Sequence, residues 1–140
     1  MKALAAFVLL VGVVAACAGG NLYRATVREP DGSYPLDVVL VDHTGRVTAV
    51  EAVSADGDNE SLPQVQQDSA DPNAVIVRWA TGACDDVSMS FRQSDAGYRL
   101  DVDAHERIGL GCTAQLLFRD LRIRFSAPVS ADSIVALGGR

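Results

Sequence analysis

The sequence predicts an all-β domain, a single antiparallel β-sandwich or partly closed barrel of about six to seven strands. Three observations carry this expectation. Apolar residues recur at every second position in several short runs, clusters rich in Gly, Pro, Asp and Ser separate the runs, and no segment keeps a helical stripe for more than about two turns. A chain of 140 residues that is 49% hydrophobic and lacks internal repeats has material for one core and one domain.

The first element is an address. Met1-Lys2 is a short positive start, and Ala3 to Ala16 is an uncharged apolar run, too short to span a bilayer and of the right length for a signal peptide. Val14-Ala15-Ala16-Cys17 follows and resembles the lipobox of bacterial lipoproteins: an aliphatic residue, two small ones, then the cysteine. The resemblance implies that residues 1–16 are removed, that Cys17 is the lipidation site, and that 17–21 tether an extracytoplasmic domain of residues 22–140 to the cell membrane. Every basic residue after Lys2 is Arg, a composition that looks like a high-GC genome.

With Cys17 acylated as that resemblance implies, Cys84 and Cys112 remain as a pair in an oxidising compartment, and a structural disulfide between them is expected. It would close a 29-residue loop and stabilise by about 3.6 kcal/mol in the chain-entropy picture. Free thiols are the rival reading. A metal site lacks the spacing, because there is no CxxC and neither His43 nor His105 has a second His nearby.

The strands follow in order. Tyr23, Ala25 and Val27 alternate with Arg24, Thr26 and Arg28 until Pro30-Asp31-Gly32-Ser33 breaks the pattern. Leu36 to Val41 and Val47 to Val53 read as a hairpin, joined at Asp42-His43-Thr44-Gly45, where Asp bonds back to the turn and Gly accepts positive φ. His43 is then a solvated turn residue. Residues 54–73 carry many acids and amides with Pro63 and Pro72, and read as a long surface loop.

Ala74 to Ala80 is nearly continuously apolar, the pattern of a central strand buried on both faces, and Trp79 within it is expected beside the disulfide. Val87, Met89 and Phe91, then Tyr98, Leu100 and Val102, form a second hairpin around Gln93-Ser94-Asp95-Ala96-Gly97. Leu121, Ile123 and Phe125 form the last strand before Pro128, while Thr113 to Arg119 is ambiguous. If that strand lies antiparallel to its predecessor, Asp101 and Asp103 face Arg122 and Arg124 across the sheet.

Trp79, Gly82 and Cys84, then Cys112-Thr113-Ala114, Leu121-Arg122-Ile123, Pro128-Val129 and Ile134-Val135 are similar to small actinobacterial lipoproteins and secreted proteins of unknown function. The resemblance spans about 60 residues and implies structural features, not an activity.

Chemistry is sparse. A net charge of −6 opposes nucleic acid and anionic membrane surfaces as partners. GxSxG, HExxH, a P-loop and GxGxxG are absent. His105-Glu106, read as a loop pair, and Asp85-Asp86 are adjacent in sequence and poorly placed to converge on one substrate atom. Asp56-Gly57-Asp58-Asn59-Glu60 could offer oxygens to Ca²⁺, but it lacks the Gly and the distal Glu of an EF-hand loop, so the expectation is a solvated loop with at most weak cation affinity. The expected function is therefore a membrane-tethered binding or structural module of the cell envelope, with no cofactor, no metal and no catalytic residue. Its partners are expected to be the membrane, through the lipid anchor, and an envelope protein or glycan. The alternatives are an envelope enzyme whose site does not show in the sequence and a weak calcium-dependent adhesion module.

Overall fold

A computed structural model of the chain describes residues 19–27, 36–53, 63–82, 84–106 and 116–139. Among these, nine strands form: β1 (Asn21–Val27), β2 (Leu36–Asp42), β3 (Val47–Val53), β4 (Gln64–Gln67), β5 (Ala74–Gly82), β6 (Asp85–Ser94), β7 (Gly97–Glu106), β8 (Leu116–Phe125) and β9 (Ile134–Gly139). They assemble into two separate sheets and not a closed barrel. Sheet A runs β1-β2-β6-β7-β9 and sheet B runs β3-β8-β5-β4.

Period-2 alternation sorts the side chains. Val38 and Leu40 of β2, Val87, Met89 and Phe91 of β6, and Leu100 and Val102 of β7 face one way from sheet A. Val47, Val75, Val77, Trp79, Leu121, Ile123 and Phe125 meet them from sheet B, and together they form one buried cluster. Phe91 links the layers, with its ring centroid 5.1 Å from that of Tyr98 and 5.3 Å from that of Phe125. This sandwich-like arrangement buries the apolar face of each sheet against the other.

Several expectations need correction. Leu36–Val41 and Val47–Val53 do not pair: β2 lies in sheet A and β3 in sheet B, so their connection crosses between layers. The turn chemistry is as expected, because Asp42 accepts hydrogen bonds from the Thr44 amide (2.8 Å) and the Val47 amide (3.0 Å), and Gly45 has φ +70°. These bonds satisfy a tight turn in an arch as well as in a hairpin. The sheets are also not purely antiparallel, since β2 runs parallel to β6, and β7 parallel to β9. The 54–73 segment is not wholly loop, for β4 pairs with β5. The ladder of Asp101 and Asp103 against Arg122 and Arg124 does not form, because β7 and β8 belong to different sheets.

The reading of β5 holds. It lies between β8 and β4, with Val75, Val77, Trp79 and Thr81 buried toward sheet A and Ala74 and Arg78 buried on the opposite face. The β6–β7 hairpin also forms, with Gly97 at φ +135° in its turn.

Candidate functional site

Strand direction divides the molecule into two ends. The near end holds the start of β1, the 43–46 and 95–96 turns, residues 68–73 and residues 126–133. The far end holds the last residues of β1, β3, β5, β7 and β9 and the first of β2, β4, β6 and β8. A ten-residue strand rises about 33 Å, so the two ends are roughly 30 Å apart.

The N-terminus is fastened to the near end. A Cβ on Gly20 would fall 2.1 Å from the Asp42 carbonyl oxygen, so only glycine permits this approach of the leading segment to the β2–β3 turn. Tyr23 of β1 donates its hydroxyl proton to the Val47 carbonyl of β3, joining the two sheets along that side.

The far end collects most of the chemistry-bearing side chains. Asp85 is the first residue of β6, and its Oδ2 accepts hydrogen bonds from the Thr81 hydroxyl (3.0 Å) and the Gly82 amide (2.8 Å). Asp86 turns to the other face, where its Oδ1 accepts the Asp37 amide at 3.1 Å. Adjacent strand residues point oppositely, so these two carboxylates do not converge. The same geometry separates His105 from Glu106, which lie on β7 and not in a loop. His105 Nε2 is 3.4 Å from Asp103 Oδ2, and both side chains are more than half exposed. Across the ladder Asp85 lies opposite Glu106, and Asp86 opposite His105. The rim is acidic, and its described bonds tie strand ends together. Among the described residues no group of three or more His, Cys, Asp or Glu is placed to hold a metal ion.

Below this rim the apolar core holds a polar pair that the sequence did not reveal. Trp79 and Arg119 are directly opposed on β5 and β8, at 3% and 5% exposure. Burial lowers the Arg119 pKa, since a desolvated guanidinium holds its proton less tightly. The Trp79 indole N–H is buried and donates to no described residue. The only sequence signal for this pair was an arginine at the inward position of an alternating run, and Arg119 fell in the segment left ambiguous.

Of the residues singled out in the sequence, Cys84 sits at the β5–β6 turn and is 4% exposed. Cys17, Cys112 and the Asp56–Glu60 cluster lie outside the described residues. His43 is exposed at its turn on the near end, at the opposite end from Asp85, Asp86, His105 and Glu106. No family model, no curated protein and no solved structure matches this chain.

Proposed function

We propose that this chain is a lipoprotein tethered to the extracytoplasmic face of the cell membrane through Cys17. In this reading its two-layer domain is a β-sandwich stapled by a Cys84–Cys112 disulfide. It acts as a non-enzymatic binding or structural module of the envelope, with an envelope protein or glycan as its partner. The observation that carries the reading is the polarity of the fold. Gly20, three residues after the lipobox cysteine, packs on the near end, so an acyl chain on Cys17 holds that end within about 10 Å of the headgroups. The far end is then presented away from the bilayer. Enzymatic chemistry has less support, since Asp85 and Asp86 point to opposite faces, as do His105 and Glu106, and the His105–Asp103 pair is more than half exposed.

The test is fractionation of cells expressing the full chain or its Cys17→Ser variant. The wild-type protein is expected with the membranes and the variant in the soluble or secreted fraction. Equal release of both forms removes the lipoprotein reading.

A further inference from the structure

We infer that the exposed edge of β9 is a self-association site, at which a second copy of this chain pairs antiparallel about Ala136. Strand edges left open are templates for pairing, and folded proteins guard them with charge, proline, bulges or brevity. Three of the four edges here are guarded. β1 carries Arg24 and is tied to β3 through Tyr23. β3 carries Glu51 and a register shift between Val47 and Ala49. β4 has four residues and follows Pro63. β9, at the end of sheet A, reads Ile-Val-Ala-Leu-Gly-Gly, with no charge or proline of its own and an unbroken six-residue register against β7; Pro63, just before β4, lies against Gly138, where a Cβ would fall 2.9 Å from the proline ring. Its outward side chains Val135 and Leu137 are 53% and 44% exposed, and Leu22 is the other exposed large hydrophobic residue of the described chain.

Charge on the neighbouring strands selects both the partner and the register. In the ladder, Arg92 and Arg99 share a row with Val135, whereas Asp101 shares a row with Leu137 and Asp103 with Gly139. On the outer face beside β9 the arginine row lies toward the near end and the aspartate row toward the far end, and Asp101 is ion-paired with Arg99 at 2.8 Å and with Arg92 at 3.6 Å, so the unlike charges sit side by side in each copy. Two-fold antiparallel pairing keeps side chains on their own face only in registers centred on one residue. Centring on Val135 sets the arginine rows of both copies in line, and centring on Leu137 does the same with the aspartate rows. Centring on Ala136 sets Val135 against Leu137 of the second copy and brings each arginine row into line with an aspartate row. The exposed apolar side chains then cover each other, and unlike charges flank them. A six-residue pair is small beside the ~1,600 Å² of a standard interface, so the association is weak and reversible. The strands of the two copies run oppositely, so their N-terminal segments leave from opposite ends of the pair, roughly 30 Å apart; the pair therefore joins copies on facing surfaces or in solution, and not two copies tethered through Cys17 to the same face of one bilayer.

The register makes the test specific. Residues directly opposed across an antiparallel pair have Cα atoms about 4.5–5.5 Å apart, within the range a disulfide spans. The full chain carrying Ala136→Cys, Val135→Cys or Leu137→Cys is expressed, and its covalent dimer is measured by non-reducing electrophoresis against the wild-type background. Ala136→Cys is expected to give about ten times more dimer than either neighbour alone, and adding Leu137→Lys to it should abolish the dimer. Similar cross-linking at all three positions, or none at Ala136→Cys, overturns the inference. Sedimentation of the detergent-solubilised wild type decides independently of any cysteine variant. A reversible dimer that Leu137→Lys dissociates supports the site, and a monomer at every concentration rejects it.

Discussion

Arg78 and Asp120 project from the side of sheet B that turns away from sheet A, yet each is 4% exposed. Their bonds are bidentate, with Nε to Oδ1 and Nη2 to Oδ2 both 2.7 Å. The planar guanidinium matches the carboxylate in this geometry, and at that burial neither charge can be left alone. Removing one partner of a buried pair strands the other and costs about 3–5 kcal/mol, whereas replacing both with apolar groups of similar volume is often neutral. Arg78→Met, which leaves the buried Asp120 carboxylate without its guanidinium, is therefore expected to lower the urea midpoint strongly, and the double replacement Arg78→Met with Asp120→Leu to recover most of the loss. A double variant no more stable than the single would show that the pair has a role other than mutual neutralisation. The sequence did not reveal this pair, since Arg78 lay in a run read as apolar and Asp120 alternates with the core residues Leu121, Ile123 and Phe125 on the polar side of the last strand.

The elements read correctly from sequence were those whose partners are local. β6 and β7 pair across a two-residue turn, and their alternation and turn residues specify the hairpin. β5 is apolar enough to be central wherever its neighbours come from. The errors arose where a strand's partner is distant. The Asp42–Gly45 turn chemistry is the same whether the chain folds back or crosses to the other layer. β9 pairs in parallel with a strand about 35 residues earlier, and its two terminal glycines hide it. β4 is short and glutamine-rich, and side-chain bonds hold its end as much as the core does. Gln67 donates to the Ala74 carbonyl at 3.0 Å and accepts from the Ala131 amide at 3.1 Å. The Asp68 carboxylate accepts from the Ala70 amide at 2.9 Å and from Arg122 Nε at 2.7 Å, latching the β4–β5 connection onto β8. The Ala70 amide, and then Arg122, hold the Asp68 carboxyl below the usual carboxylate value of about 3.9, against the opposing pull of burial. A folded pKa below the unfolded one stabilises at pH above the unfolded value, and that contribution is lost as pH falls through the folded value. Thermal melts between pH 6 and pH 2 are thus expected to show a steeper acid loss in the wild type than in Asp68→Asn, which should already be weaker at neutral pH. Parallel curves would mean that the latch does not contribute.

At the scale of the whole molecule, the chain passes between its layers four times. The β2–β3 and β8–β9 connections cross at the near end, and the β5–β6 and β7–β8 connections cross at the far end. The near crossings are fastened by short-range bonds. The Asp42 carboxylate caps the first, the Phe91 carbonyl accepts the His43 amide at 2.9 Å, and the Ser130 carbonyl accepts the Ser133 amide at 3.0 Å in the second. At the far end, Asp85 secures the β5–β6 crossing through Thr81 and Gly82. Cys84 belongs to that crossing and Cys112 to the chain between β7 and β8. The proposed disulfide would therefore join the two far-end crossings to each other. Closing a 29-residue loop stabilises by about 3–4 kcal/mol in the entropic picture. Cys84→Ser with Cys112→Ser is expected to lower Tm by roughly 10 °C, and the wild type in reductant should melt with the variant. If the native wild type instead offers two alkylatable thiols and its melting ignores reductant, the far end is held by Asp85 and the core alone, and both cysteines become open to a metal or redox role.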